Sequence, residues 1–468
     1  MKKVLALLLA LVMVFALCAC GPKTGQNPGP ASNPGAEQTP ATQPSENPGT
    51  EPSNEPAGPE VAKEITLWTY PIGNWGKEEV VNELMAAFEA DTGIKVTVEY
   101  LTYADGDTVV NTAITGGNTP DLIMEGPERL VANWGVNGYL VDLSDILDDT
   151  DKAEIAEVNA GVMNACTSAD GKIYEYPLVM TAHCMGVNLT AFKEAGADQY
   201  LDLETHTWTT ENFFKAVEAL QAKFGDNIGA VFCNSQGGDQ GTRALVNNLH
   251  GGTFTNAEHT KYTWDDPKNI QALQELYDAK GINYDASIIG SDEIALFYQG
   301  ALKMAFCWNI AQQLAPNGAD VPEKTMGGDD IAFMAFPSEN GTDTLLQGGI
   351  WGFGIFDNGD AGRIAAAKEF IKYFCDSEHT ADAVKAANYF AVRNTAEGAD
   401  LSQIWADNAI MAEYTKLMPY LGDYYQVTTG WAEARTAWWT MLQAVGQGTD
   451  VATAVADGVA AANAAAGA

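Results

Sequence analysis

The sequence predicts an α/β architecture built as two lobes. Three observations predict it. Strand-like and helix-like segments alternate from about residue 64. Roughly 400 residues follow a stretch that cannot form a core, enough for two separate ones. No internal repeat and no second long apolar span competes with that reading.

The elements follow in order. Ile65-Thr66-Leu67-Trp68-Thr69-Tyr70 alternates as a strand does, and Glu79 to Asp91 carries Val80, Leu84, Ala87 and Phe88 at helical spacing. A strand from Ile94 to Leu101 completes a β-α-β unit. A helix through Val109 to Gly116 and the strand Pro120-Asp121-Leu122-Ile123-Met124 begin another, which predicts a mainly parallel sheet with helices on both faces. Tyr174 to Asn188 reads as extended, Thr209 to Phe224 as a capped helix, Ile228 to Cys233 as a strand and Ile270 to Lys280 as a helix. Leu302 to Trp308 and Gly349 to Phe356 read as strands. From Ala361 the chain is nearly all helical, most clearly over Arg363–Asp376 and Ala432–Gly446.

The first residues are of another kind. Lys2 and Lys3 precede an apolar run from Val4 to Leu17, the layout of a secretory signal peptide and too short for a spanning helix. Leu17-Cys18-Ala19-Cys20-Gly21 resembles a lipoprotein processing site, which makes residues 1–19 the signal and Cys20 the expected lipidation site. Residues 20–60 are nearly all Pro, Gly, Ser, Thr, Asn, Gln, Ala and Glu, with too little apolar surface to offset the entropy of ordering. They read as a tether of roughly 35 Å as a coil and about 120 Å when extended.

A formal net charge of −37 excludes nucleic acid and anionic lipid surfaces as partners, since both need basic patches. Beyond the processing site, Cys166, Cys184, Cys233, Cys307 and Cys375 show no C-x-x-C spacing and read as buried free thiols. A monomer is expected.

Several short motifs, taken in order, resemble the extracellular solute-binding proteins of type 1, the maltodextrin-binding-protein-like family. They are Asp91-Thr92-Gly93-Ile94-Lys95-Val96-Thr97-Val98-Glu99; Gly117, Pro120, Asp121 and Leu122; Gly138, Leu140, Asp142 and Leu143; Asp170-Gly171-Lys172 with Tyr174 and Pro177; and Asn188 with Phe192. Tyr298, Gly300 and Met304, then Gly348-Gly349 with Trp351-Gly352-Phe353, then Glu369-Phe370-Ile371 and Trp431 with Arg435-Thr436 complete the set. The resemblance implies a periplasmic-binding-protein-like fold: two α/β lobes, a hinge and a ligand cleft between them. It places residues 61–180 and 350–392 in the first lobe, and residues 181–349 and 393–468 in the second. It also implies an ABC importer's binding component, with a carbohydrate ligand, permease subunits as partners and no cofactor or metal.

A sugar presents hydroxyl edges and apolar C–H faces, so its site needs flat aromatics and planar hydrogen-bonding groups. The resemblance offers Trp308 and Trp431 as stacking residues, with Arg435 one helical turn from Trp431. In the first lobe it offers Trp68, Tyr70, Trp75, Glu125, Glu128 and Arg129. Thr181 and His183 stand at the hinge, Gln236 and Asp239 in a polar loop, and Trp351 at a glycine-marked crossing. Glu125 and Thr181 depart from the family pattern, the first replacing an aromatic and the second an acid. For each tryptophan the competing reading is core packing; for Arg435 it is a structural ion pair.

Enzyme readings find little support. The sequence has five scattered His and no H-E-x-x-H, G-x-x-x-x-G-K-[ST] or G-x-S-x-G motif. A glycoside hydrolase would need two carboxylates at fixed separation, for which Glu125 with Glu128 or Asp239 are the candidates. The remaining alternative is a binding protein for a polyamine or other cation, which acidic groups in the cleft would favour.

Overall fold

A computed structural model describes residues 60–103, 105–232, 239–282, 288, 290–314, 323–397 and 399–468. The signal segment, Cys20, the tether up to residue 59, Cys233 and Gln236 lie outside the described residues. From residue 60 onward the chain forms one compact unit.

Two sheets organise it. The larger contains β1 (Glu64–Thr69), β2 (Lys95–Tyr100), β3 (Leu122–Glu125), β4 (Tyr176–Ala182) and, across the sequence, Gly348–Ile355 and Phe390–Ala391. The smaller contains β5 (Cys184–Asn188), β6 (Met304–Trp308) and β7 (Ile331–Met334), in the order β6-β5-β7. With Gly348–Ile355 as β8 and Phe390–Ala391 as β9, the larger sheet runs β2-β1-β3-β8-β4-β9.

β1 pairs in parallel with β2 and β3, as β-α-β connection demands. The other named pairings, β3–β8, β4–β8, β4–β9, β5–β6 and β5–β7, are antiparallel. The larger sheet is therefore mixed rather than mainly parallel. Its other half is built around β8, which returns from the smaller sheet and inserts antiparallel between β3 and β4, with β9 antiparallel on the far edge of β4.

Local sequence explains the helices. Thr209 accepts from Asn212 N to start Thr210–Phe224, and Asp360 accepts from Gly362 N and Arg363 N to start Ala361–Cys375. Asp148 and Asp151 form a reciprocal capping box for Asp149–Cys166. Glu78–Thr92 buries Val81, Met85 and Phe88, and ends on Gly93 at φ +71°. Ile228–Phe232 is not a strand; Ile228 and Gly229 donate to Gly281 O, and Ile228 O accepts from Lys303 and Met304. Cys166, Cys184 and Cys375 are buried free thiols, and Cys307 is a half-buried one.

The chain passes from the larger sheet to the smaller at His183, the single residue between β4 and β5, and returns through Gln347 into β8. The two crossings lie side by side, His183 N donating to Gln347 O at 2.6 Å. Glycine is required at the return: a Cβ on Gly348 would stand 2.1 Å from Thr181 O, and one on Gly349 would stand 1.9 Å from the Trp351 ring.

Candidate functional site

At the C-terminal ends of β1 and β3, the larger sheet presents a compact group of acids and aromatics. Glu125 ends β3, fully buried, and its Oε1 accepts from Arg129 Nη1 at 2.6 Å. Arg129 also donates to Asp107 at 2.6 and 3.2 Å and to Glu128 at 3.4 Å, so one guanidinium serves three carboxylates. Tyr70 donates its hydroxyl to Asp107 at 2.9 Å and stacks on Tyr103, centroids 5.2 Å apart and planes at 28°. The Arg129 guanidinium lies 5.2 Å from the Tyr70 centroid and 5.7 Å from that of Tyr103. Gly106 makes room for this stack, since a Cβ there would meet the Tyr70 ring at 2.5 Å. Tyr103 is 47% exposed, so it offers the face that the buried Tyr70 cannot.

On the same sheet, half-buried Trp351 stacks on Tyr389 at 5.1 Å and 13°. Glu175, just before β4, is 0% exposed, and neither of its oxygens has a hydrogen-bond partner among the described residues. Burial, then the nearby Glu128 and Glu125 carboxylates, push its carboxyl well above the usual range.

A second group gathers around the helices Asp239–His250 and Trp431–Gly446. Asp239, buried, accepts from Arg243 and from Arg435 Nε at 2.6 Å and Nη2 at 3.0 Å. Burial would raise the Asp239 carboxyl, but the two guanidinium groups overcome that and hold it well below the usual range. Arg243 also donates to Tyr425 Oη at 3.2 Å and sits 4.8 Å from the Trp431 ring centroid. Trp431 packs on Tyr425 at 5.8 Å and Phe254 at 6.2 Å. His183 is near enough to feel this group: burial, then Arg243, lowers it to about 4, leaving a neutral ring within 3.3 Å of Asn309 Nδ2.

The two groups touch. Tyr424, in the segment leading to Trp431, donates to Glu128 Oε2 at 2.7 Å.

Several expected residues are elsewhere. Trp308 does not reach the cleft: it is 0% exposed, wedged between Phe297 and Tyr298 at 5.1 and 5.4 Å, with Nε1 donating to Gln313 Oε1 at 2.9 Å. The reason lies across the strand, where Gly186 leaves its face open to the indole; a Cβ there would stand 2.7 Å from the ring. Trp75 is likewise core, held edge-on to Phe353 and Phe374 with Nε1 donating to Ala383 O. Trp68 is half-buried in mid-strand opposite Glu99 and Ile123. Thr181 is buried on β4 opposite Gly349, its hydroxyl without a partner among the described residues. Asp239 and Arg435 are bound to each other, so the ion-pair reading of Arg435 describes its geometry.

Residues 83–413 match the bacterial extracellular solute-binding protein family. The chain belongs to that family. Among curated relatives of this solute-binding protein, the maltooligosaccharide ABC transporter solute-binding lipoprotein of Streptococcus pneumoniae is 30% identical over 152 residues, 32% of each chain. The multiple sugar-binding protein of Streptococcus mutans is 26% identical over 147 residues, 31% of each. Each match thus spans about a third of the relative's length. Of solved structures, the MalE sugar-binding protein of Xanthomonas citri superposes with a TM-score of 0.67 at 16% identity, covering 86% of this chain and 97% of that one. The GacH receptor of Streptomyces glaucescens gives 0.64 at 17% identity, with 86% and 98% covered. At such identities the likeness is one of fold, periplasmic sugar-binding-protein-like and mixed α/β.

Sequence reasoning missed Tyr103, Glu175, Arg243, Tyr389 and Tyr424 in this solute-binding protein. Arg243 carried a local signal, since Asp239 and Arg243 stand four apart on one helix face. The others are set by contacts between distant segments. Among the described residues no group of three or more His, Cys, Asp or Glu is arranged to hold a metal, and no helix is long and apolar enough to cross a membrane.

Proposed function

We propose that this solute-binding protein receives a sugar, an oligosaccharide in preference to a monosaccharide, for an ABC importer. The observation that carries this reading is the pairing of flat aromatic faces with planar hydrogen-bonding groups. Half-exposed Tyr103 lies against Arg129, Trp351 is backed by Tyr389 on the same sheet, and Glu128 bonds Tyr424, in the segment that leads to Trp431 and Arg435. Aromatic faces cover sugar C–H surfaces, and carboxylate and guanidinium groups bond pairs of hydroxyls. The names of the streptococcal relatives, one for maltooligosaccharides and one for multiple sugars, support the same ligand class.

In this reading the larger sheet belongs to the first lobe and the smaller to the second, with boundaries near residues 180, 350 and 392. Closure brings the two groups together on the solute. Glu125, Glu128, Arg129, Trp351, His183, Trp431 and Arg435 line the contact with Tyr103; Tyr70 supports Tyr103 from beneath. Cys20 carries the lipid that holds the monomer at the outer face of the cell membrane beside its permease subunits. The solute is handed on chemically unchanged. The carboxylates Glu125, Glu128 and Glu175 are the observation that favours the second reading, a polyamine or other cation.

A thermal-shift screen of malto-oligosaccharides, other glycans and spermidine tests both, followed by calorimetry of each hit. Stabilisation by a glycan with no spermidine response supports the sugar reading. Tight spermidine binding with no glycan response overturns it, and release of reducing ends from a bound glycan overturns the non-catalytic role.

A further inference from the structure

Glu125 and Glu175 form a charge arrangement that sugar stacking does not explain. β3 and β4 flank β8, with Glu125 opposite Gly352 and Tyr176 opposite Phe353. Side chains alternate along strands, so Glu175 shares its face with Pro177, hence with Gly352 and Glu125. The strand between them contributes Gly352 and Gly354 to that face, so β8 itself puts no side chain between the two carboxyls, although Leu130 and Leu140 approach Gly354.

The surrounding groups are unbalanced. The guanidinium of Arg129 is shared by three carboxyls, Asp107, Glu125 and Glu128, and the fourth, Glu175, has no bond to it. Tyr70 and Tyr103 stack beside Arg129, Tyr389 lies under Trp351, and Tyr424 donates to Glu128. On its inner side Glu175 acts on the buried thiols of Cys166 and Cys375, which are themselves pushed up by burial. Among the described residues, Glu125 Oε2 and both Glu175 oxygens are buried without a hydrogen-bond partner. An ionised carboxylate in that position is so costly that the group keeps its proton instead. Consistently, burial pushes Glu125 up to about 8, with Arg129 opposing and Glu128 and Asp107 adding to the rise.

Resting on the reading of this cleft as the solute site, we propose that capture is proton-linked. Glu125 and Glu175 take up protons as the cleft shuts, so it admits uncharged solutes and loosens its hold as pH rises. When the two faces part, Tyr424 leaves Glu128, and water reaches the acids behind it. The protonated pair also removes the negative charge on which capture of a polyamine would depend.

The test uses the purified full chain, with maltotriose as the probe. A carboxyl whose value is raised on folding is protonated in both states at low pH. The stability this gives is lost as pH rises from the unfolded value, about 4.3, towards the folded one. Ligand-free melting temperatures should therefore fall from pH 5 to pH 8 more steeply for wild type than for Glu175→Gln, which mimics the protonated form. Glu125→Gln is the second variant should that one fail to fold. Calorimetry of maltotriose in phosphate and in Tris should show proton uptake on binding, reduced in Glu175→Gln, with affinity falling by up to about tenfold per pH unit for each proton. Parallel melting profiles overturn the proposal, as do equal heats in both buffers with a flat affinity from pH 6 to 8.5. Tight spermidine binding that Glu175→Gln abolishes overturns it in favour of an ionised pair. If maltotriose gives no heat at any pH, the sugar reading fails, and the melting profiles alone decide where the protons sit.

Discussion

The two faces that meet at Tyr424 and Glu128 are built on opposite electrostatic plans. Around Asp239 the charged groups are bonded to one another: one buried carboxylate bridges two guanidinium groups, and Tyr425 and Trp431 lie against that of Arg243. Around Glu125 the acids outnumber their cation, three carboxyl oxygens are unpartnered among the described residues, and Tyr103 is about half exposed. The first arrangement is finished without a ligand and holds a helix pair in place. The second is left incomplete, and incomplete surfaces are where a ligand's groups have most to contribute. In the proposed reading recognition therefore centres on the Glu125 side, while the Asp239 side, which brings Trp431 and Arg435 to the solute, also carries ion pairs that hold the fold.

The largest effect that would sharpen the contrast is on Trp308, which belongs with the stable half. Trp308→Ala should lower stability by about 3–5 kcal/mol, the usual range for a packed tryptophan. Denaturant unfolding should show that loss, while the folded fraction binds sugar normally; reduced affinity at unchanged stability would return Trp308 to the cleft. Asp239→Ala should come next, at about 3 kcal/mol, because it leaves buried Arg243 without its counter-charge. Arg435 is partly solvated, which keeps the loss at the lower end. Stability unchanged by that substitution would break the assignment of this side to structure.

Tyr103→Ala should act in the opposite sense. Stacking on an aromatic contributes about 1–3 kcal/mol in the nearest measured analogue, so affinity should fall roughly tenfold or more. An exposed ring contributes little to the core, and the melting temperature should move by no more than a degree or two. A large stability loss with intact affinity would place recognition elsewhere. The smallest effect is expected for Tyr424→Phe, which deletes one hydroxyl-to-carboxylate bond between the faces, about 1 kcal/mol. Small-angle scattering of the ligand-free protein should then show a population shifted towards a larger radius of gyration.

Much of the fold was legible because its signals are local. Thr209 and Asp360 announce their helices as caps, and Ile65, Leu67 and Thr69 face inward at the spacing of a strand. The acid-base pair Glu128 and Arg129 was legible from its place directly after β3. What was not legible depends on partners far along the chain. Nothing near Glu175 predicts that β8, about 180 residues later, will lay glycines between it and Glu125. Tyr424 meets Glu128 across 296 residues. The expectation of a mainly parallel sheet failed for the same reason, since the antiparallel insertion of β8 leaves no trace in local periodicity. Trp308 was misjudged because its burial depends on Gly186, a residue whose contribution is the side chain it lacks.

In the proposed two-lobe reading the paired crossings at His183 and Gln347, with a third near residue 392, have a mechanical consequence. One flexible link between two bodies allows them to swing, twist and slide. Two links fastened side by side, as the His183 N to Gln347 O bond fastens these, resist twisting and sliding and yield only to bending across their common width. In that reading motion between the sheets is guided along one angular coordinate, like a door on its pin. A partner that grips one point on each half can read that single angle, and with it whether the chamber is shut, without touching what is inside.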